Sequence, residues 1–129
     1  MNVVADTHAW VWWLLRDPRL SEAARDAMER AGTVYLPAIS LWEVAMLVEK
    51  GRIPLTLPVE EFFAAALESG RMEVAPLSPS VAALSVSPGL TEHGDPADRL
   101  IAATAVDLGL ALVTRDARLR PAPGLTVIW

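Results

Sequence analysis

The chain begins with Met1-Asn2-Val3-Val4-Ala5-Asp6-Thr7-His8-Ala9-Trp10, in which a short apolar run leads directly to an acidic residue and a helical stretch. Similar short runs of apolar or β-branched residues follow, and stretches with helical periodicity separate them. These runs lie at 2–5, 33–36, 72–75, 111–114 and 125–128. Because strands that alternate with helices form parallel sheets, the pattern predicts an α/β fold with three layers, a parallel β-sheet flanked by helices.

The helical stretches have recognisable beginnings and ends. The first helix is predicted at 8–16, where Asp17-Pro18 would end it, and the second runs from about 20 to near Gly32. Ser40 is predicted to cap the third helix, which stops at Lys50-Gly51. Later helices are predicted to begin at Pro58, Ser78-Pro79 and Asp95-Pro96. The last of these should run through Leu108 to a stop at Gly109, and 85–94 is predicted to be a loop.

Length and composition limit the classes of protein to consider. A chain of 129 residues can bury its own core, so residues 1–129 are predicted to form a single domain. The absence of cysteine excludes disulfides and thiolate metal sites. The formal net charge of −5 argues against a broad basic face for nucleic acid, so a phosphate-rich substrate would need a bound cation. No apolar run approaches bilayer-spanning length, and a cytoplasmic location is expected.

The chain is unusually apolar for its size. Hydrophobic residues make up 53% of it, and the tryptophans include Trp10, Trp12 and Trp13 on consecutive helical faces. Since three neighbouring helical positions cannot all face one core, we expect apolar surface that contacts a partner. A homodimer or a protein complex would cover that surface, and an unusually large core is the alternative.

Four acidic residues are predicted to lie at one edge of the sheet. Asp6 and Asp116 come shortly after predicted strands, whereas Glu43 and Asp98 lie in the first turns of predicted helices. In parallel βαβ units, the carboxyl end of a strand and the start of the next helix share one rim, where ligands usually bind. Carboxylates gathered there repel one another unless a cation binds, and hard divalent ions prefer oxygen ligands. The sequence therefore predicts a divalent-metal pocket at this rim.

Each of these acids also has a purely structural interpretation. Ser40-Leu41-Trp42-Glu43 matches a capping box, in which the glutamate returns to the serine backbone N–H. Asp95-Pro96-Ala97-Asp98 places an N-cap, a proline and a second acid at a helix start. Asp6 and Asp116 are candidate caps of the short helices that follow them. Only the joint placement of the acids favours metal binding.

Other chemistries fit the sequence less well. No glycine-rich phosphate loop, Ser-His-Asp order or Cys-His pair is evident. The single lysine, Lys50, does not follow a late strand as a phosphoaspartate receiver requires. His8 and His93 are the only imidazoles, and the metal hypothesis depends on neither.

Four segments resemble those of PIN-domain proteins, most of all the VapC-type ribonuclease toxins of bacterial toxin–antitoxin pairs. The segments are Val3-Val4-Ala5-Asp6-Thr7-His8-Ala9-Trp10, Ser40-Leu41-Trp42-Glu43-Val44-Ala45, Asp95-Pro96-Ala97-Asp98-Arg99-Leu100-Ile101-Ala102-Ala103 and Thr114-Arg115-Asp116. Their order and spacing agree over essentially the whole chain. The resemblance implies a parallel sheet flanked by helices, a homodimer, RNA cleavage with Mg²⁺ or Mn²⁺, and inhibition by a VapB-type antitoxin whose C-terminal segment lies across the active-site groove.

The resemblance also assigns roles to residues. It gives the acidic metal positions to Asp6, Glu43, Asp98 and Asp116, and it makes Thr114 the hydroxyl beside the last acid. The hypothesis is phosphodiester hydrolysis, in which three aspartates hold one or two metals and the glutamate binds directly or through water.

Two arginines and two alternative functions complete the hypothesis. Arg99 and Arg115 flank the acids and are candidates to contact substrate phosphate, with an ion pair to a nearby acid as the alternative. A catalytically silent PIN-like module that binds RNA or protein stays open as a second function. A DNA-directed nuclease of the same fold is the third, although the chain has no long insertion or basic arch segment to favour it.

Overall fold

A parallel sheet forms the centre of the protein. The computed structural model describes residues 1–90, 94–119 and 122–129. Within them the strands are β1 (Val3–Ala5), β2 (Val34–Pro37), β3 (Met72–Ala75), β4 (Ala111–Val113) and β5 (Val127–Ile128). They form one sheet in the order β3-β2-β1-β4-β5, and every neighbouring pair is parallel. The predicted parallel α/β fold is confirmed, and each strand overlaps the run that predicted it.

Helices connect and flank these strands. They are α1 (Thr7–Leu14), α2 (Glu22–Arg30), α3 (Ala38–Glu49), α4 (Val59–Glu68), α5 (Pro79–Ser85) and α6 (Pro96–Leu108), and a 3₁₀ turn follows at Ala117–Leu119. The cap-and-proline starts of α5 and α6 are as predicted, with Ser78 and Asp95 as N-caps. Gly109 ends α6 in the left-handed conformation at φ 66, which glycine adopts without steric cost.

Several helix boundaries differ from the prediction, and α2, predicted from about 20 to near Gly32, is confined to Glu22–Arg30. Helix α1 ends at Leu14, because Arg16 takes a positive φ of 54 that the right-handed helix does not allow. Helix α3 begins directly after Pro37, with no side-chain cap, so Ser40 lies inside its first turn. The predicted Ser40 N-cap is therefore wrong, because proline's fixed φ already suits a helix start and the helix begins three residues earlier.

The two faces of the sheet are both covered. Along β1, Val3 and Ala5 pack into the cluster that contains Trp10 and Met28 of the α1–α2 layer. Val4 points to the other face and packs with Ile101 of α6. Because side chains alternate along a strand, a run that is apolar at every position is buried on both faces, as a three-layer protein requires.

The strand order creates a crevice next to β1. From β1 the chain crosses to β2 on one side, and it later returns to β4 on the other side. Ligands in such sheets bind outside the carboxyl ends of the strands at the point where the order reverses. The residues just after β1 and β4 therefore lie at that crevice, and the backbone N–H of Asp6 bonds to the carbonyl of Val113 at 2.9 Å.

The tryptophans are buried more deeply than predicted. Trp10 and Trp12 both belong to the core, Trp13 is half-buried at its edge, and Trp42 is 58% exposed. Many of the apolar side chains are therefore buried in the core of the protein. Trp42 is the tryptophan that stays exposed. In the described part of the chain, no helix has both the length and the apolar character needed to cross a bilayer.

The predicted loop at 85–94 begins one residue late, because Ser85 is still part of α5. Residues 91–93, among them His93, lie outside the described residues.

Candidate active site

Asp6 is the central acid of the site. It follows β1 directly and is the N-cap of α1, so strand and helix together fix its position. Its Oδ1 accepts from the backbone N–H of Thr7 at 2.6 Å, and its Oδ2 accepts from the hydroxyl of Thr114 at 2.6 Å. Burial raises the pKa of Asp6, and these two hydrogen bonds act in the opposite direction because they favour the charged form.

Thr114 connects Asp6 to the acid that follows β4. The buried hydroxyl of Thr114 donates to Asp6 and accepts from the backbone N–H of Asp116 at 3.0 Å. The carboxylate of Asp116 caps the 3₁₀ turn by accepting from the backbone N–H of Arg118 at 3.0 Å. It also forms a two-pronged ion pair with the Arg118 guanidinium, with Nε–Oδ1 and Nη2–Oδ2 both 3.0 Å. Asp116 therefore caps the short helical turn that follows it, as the sequence predicts.

Glu43 lies one turn inside α3 and does not form a capping box. Its Oε1 is 2.6 Å from Oγ1 of Thr7, which is itself 2.9 Å from Oγ of the buried Ser40. A hydroxyl has one proton and a carboxylate is the stronger acceptor, so Thr7 donates to Glu43. The capping-box interpretation of Glu43 is wrong, because the earlier start of α3 moves this side chain from the cap to the crevice.

The charge of the neighbouring acids acts on Glu43. Desolvation of this half-buried side chain raises its pKa most, and the charges of Asp6, Asp98 and Asp95 raise it further. The charge of Asp116 likewise raises the pKa of Asp6. The carboxylates are therefore close enough to affect one another, as the sequence predicts.

Asp98 and Asp95 come from the start of α6. Asp95 accepts from the backbone N–H of Asp98 at 3.1 Å, in the N-cap role predicted for it. Asp98 lies in the first turn of the helix, also as predicted.

All of these acids line a single pocket of about 470 Å³. Its charged lining consists of Asp6, Glu43, Asp95, Asp98, Asp116, Arg19, Arg115 and Arg118. His8 also lines it, and the charge of His8 lowers the pKa of Asp6. Arg115 is thus at the pocket, whereas Arg99 donates from Nη1 to the Ser85 backbone oxygen at 3.3 Å, at the end of α5.

The pocket suits a hard divalent ion by its chemistry, although its carboxylates are not arranged as a coordination shell. Among residues 1–90, 94–119 and 122–129, no three Asp, Glu or His side chains lie close enough together to hold a metal. Asp116 is oriented toward Arg118, and both oxygens of Asp6 accept hydrogen bonds. A carboxylate oxygen can accept more than one interaction, so the donors of Asp6 fix its orientation without using up its capacity as a ligand.

Sequence reasoning missed the residues that hold the acids in place. Thr7 bridges the helices that carry Asp6 and Glu43, and its signal was a hydroxyl directly after the first acid. Arg118 is placed two residues after Asp116, which is the spacing of a local ion pair. Trp12 carries two guanidinium groups over its ring, that of Arg19 at 4.9 Å and that of Arg115 at 5.8 Å. These cation–π contacts fix both arginines at the pocket wall.

The fold and the pocket define a class: a parallel α/β protein with acidic residues at the point where strand order reverses. A family model described as PIN domain matches residues 3–125. The chain therefore belongs to the PIN-domain family, and within it the similarity to a VapC protein is specific.

Over 119 residues the chain is 44% identical to Ribonuclease VapC22 from Mycobacterium tuberculosis. The aligned region covers 92% of this chain and 90% of that protein. The structure is similar to FitAcB from Neisseria gonorrhoeae, with 26% identity, a TM-score of 0.66, and coverage of 98% and 96%. It also resembles a toxin–antitoxin complex from Klebsiella pneumoniae, with 22% identity, a TM-score of 0.68, and coverage of 96% and 95%. The last likeness concerns the fold alone.

Proposed function

We propose that this protein is a metal-dependent endoribonuclease that hydrolyses RNA phosphodiester bonds as the toxin of a VapBC-type toxin–antitoxin pair. The observation that carries the proposal is the convergence of acids from β1, α3, α6 and the segment after β4 on one pocket of about 470 Å³. The 44% identity to Ribonuclease VapC22 supports RNA as the substrate class.

We assign the metal to Asp6, Asp98 and Asp116, with Glu43 as the fourth acid. Mg²⁺ or Mn²⁺ would supply charge compensation for the acids and for the phosphate, and would lower the pKa of an attacking water. In the structure Asp116 is paired with Arg118, so metal binding would compete with this ion pair and free Arg118 to contact the substrate phosphate.

Orientation of the acids, acceptance of the proton and binding of the phosphate are assigned to side chains of the protein. Thr114 and Thr7 hold Asp6 and Glu43 in fixed orientations, so the site is ordered before substrate arrives. With Oε1 of Glu43 engaged by Thr7, we assign Oε2 to accept the proton of the attacking water. A carboxylate whose pKa is raised by burial is a better base near neutral pH than an ordinary one. Arg115, held against Trp12, is the candidate to bind the substrate phosphate.

The test is incubation of purified wild-type protein with total RNA in Mn²⁺, with and without a chelator. We expect cleavage that the chelator abolishes and that Asp6→Asn lowers by about a hundredfold or more, because loss of a mere outer-shell partner of a metal ligand already costs about 10–100-fold. Asp95→Asn is the matched control, because asparagine keeps the N-cap of α6 while the same charge is removed. Cleavage that resists the chelator, or equal cleavage by the wild type and Asp6→Asn, would contradict the proposal.

The same assay separates the two alternative functions. A silent RNA- or protein-binding module would bind RNA in Mn²⁺ without cutting it. A DNA-directed nuclease would cut flap DNA faster than RNA. Both would leave the fold unchanged.

A VapB-type antitoxin is the protein partner that we propose, since the chain is similar to VapC22 over nearly its whole length. We also propose a homodimer, which would cover exposed apolar side chains such as Trp42.

A further inference from the structure

A second, larger pocket of about 890 Å³ lies around the C-terminal ends of α1 and α2. It is lined by Arg16, Arg25 and Arg71 and by a single acid, Glu29. We propose that this basic pocket (Arg16, Arg25 and Arg71) binds backbone phosphates of the RNA beyond the bond that is cut. The inference rests on the proposed function, because it concerns the same substrate.

Two of the three arginines are already held in place. Arg71 donates from Nη2 to the carbonyl oxygens of Met28 and Glu29, and its guanidinium lies 5.5 Å from the ring centre of Trp13. Arg25 donates from Nη2 to the Asp17 carbonyl at 3.4 Å. Side chains ordered by the fold lose less rotamer freedom when a phosphate binds.

Arg16 has no comparable role in the fold. Its side chain is exposed and forms no hydrogen bond or ion pair within the described ranges. Only its backbone N–H is engaged there, in a hydrogen bond to the Trp13 carbonyl at 3.3 Å. A long cationic side chain that stabilises nothing else at the wall of a pocket is suited to an anionic ligand.

Charge distribution favours a polyanion at this place. The whole chain carries a formal charge of −5, and the pocket proposed for catalysis has five acids in its lining. These acids outnumber the three arginines of the same lining, so an RNA strand meets net negative charge in the catalytic pocket unless a cation binds there. Local positive potential elsewhere on the protein raises the affinity for the same strand through phosphate neutralisation and release of counterions.

The distance between the pockets suits one strand of RNA. Asp6 precedes α1 and Arg16 follows it, and a helix of eight residues spans ~12 Å. The two pockets therefore lie at opposite ends of the same helix. A strand a few nucleotides longer than the cleaved step can reach both, whereas a trinucleotide in the catalytic pocket cannot.

Equilibrium binding tests the inference. Fluorescence anisotropy is measured with Ca²⁺ in place of Mn²⁺, because Ca²⁺ also takes oxygen ligands and can compensate the acids of the catalytic pocket. The probes are a labelled trinucleotide and a longer oligouridylate, over a range of salt concentrations. The variant is Arg16→Asn combined with Arg25→Gln, because asparagine tolerates the positive φ of Arg16 and neither change affects the helix cap made by Arg71. Lys50→Gln, which removes one exposed positive charge outside the basic pocket, is the control.

We expect the double variant to bind the long RNA at least several-fold more weakly and the trinucleotide as tightly as wild type. The slope of log affinity against log salt should fall by about 0.7 for each lost phosphate contact on a single strand. Long-RNA affinity and slope equal to those of Lys50→Gln would overturn the inference, as would loss of binding to both RNAs alike. Cleavage in Mn²⁺ is measured separately. A wild-type protein that binds the long RNA through the basic pocket but does not cleave it would contradict the proposed function and would still support the inference about the basic pocket.

Discussion

At the scale of single residues, two threonines organise the candidate site. The hydroxyl of Thr114 donates to Asp6 and accepts from the backbone N–H of Asp116. The hydroxyl of Thr7 donates to Glu43. Acids at a shared rim repel each other, so donors from neutral hydroxyls stabilise them without adding charge. This is why the hydroxyls, as well as the carboxylates, matter for the geometry of the pocket.

Thr114→Val removes the donor of Asp6 and the acceptor of the Asp116 backbone N–H while keeping the shape of the side chain. We expect the free energy of unfolding to fall by about 1–3 kcal/mol, the usual cost of buried polar groups left without partners. Chemical denaturation measures it. Thr114→Ser keeps the hydroxyl and is the control, and a Val variant as stable as the Ser variant would show that these hydrogen bonds are not formed.

The raised pKa of Glu43 predicts a dependence of stability on pH. Its usual value is 4.5 and the folded value is higher, so the folded state holds the proton more tightly. The contribution of Glu43 to the free energy of unfolding is therefore fully present below pH 4.5, and it is lost as the pH rises through the raised pKa. In chelator, Glu43→Gln keeps an acceptor for Thr7 and should melt a few degrees above wild type at neutral pH.

The difference in melting temperature between wild type and Glu43→Gln should disappear in acid, where both side chains are neutral. Thermal scans at several pH values in chelator follow it. A variant that melts below wild type at neutral pH would mean that the charge of Glu43 stabilises the protein.

At the scale of elements, the regular pattern of strands and helices could be read from the sequence, and the geometry of the site only in part. Apolar runs and proline-marked helix starts are local signals, and they identified β1, α5 and α6. The start of α3 was misplaced, because Ser40 and Glu43 match a local capping motif while a tertiary contact with Thr7 decides their role. The orientation of Arg99 toward α5 was beyond prediction for the same reason.

The end of α6 offers a test at this scale, because it positions the helix that carries Asp98. Gly109 has φ 66, and a Cβ there meets nothing within 4 Å, so any penalty comes from the backbone alone. Gly109→Ala should destabilise the protein by about 1–2 kcal/mol, and Gly109→Asn should cost less since asparagine tolerates the left-handed region. Equal midpoints of urea unfolding for the two variants would contradict this account of the helix end.

At the scale of the whole molecule, charge and apolar surface are unevenly distributed. Acids gather in the pocket beside β1 and β4, arginines gather in the basic pocket at the far end of α1, and Trp42 remains exposed on α3. Trp10 and Trp12 are among the many hydrophobic side chains that are buried in the core. Exposed apolar side chains such as Trp42 are what a surface for a protein partner requires.

This exposed apolar surface predicts self-association. Sedimentation equilibrium at micromolar concentration should give a dimer, and Trp42→Ala should weaken it by removing the largest exposed aromatic side chain. Val86→Ala is the control, because Val86 is 76% exposed and lies just after α5, away from α3 in sequence. A wild type that sediments as a monomer would contradict the proposed homodimer.

If acids that are distant in sequence form one site for a divalent ion, calorimetric titration of Mn²⁺ into the purified protein detects that ion directly. We predict saturable binding by the wild type and by Asp95→Asn, and loss of binding in Asp98→Asn, in which the fold is kept and one proposed ligand oxygen is replaced. Equal binding by all three proteins, or no binding by the wild type, would contradict the claim.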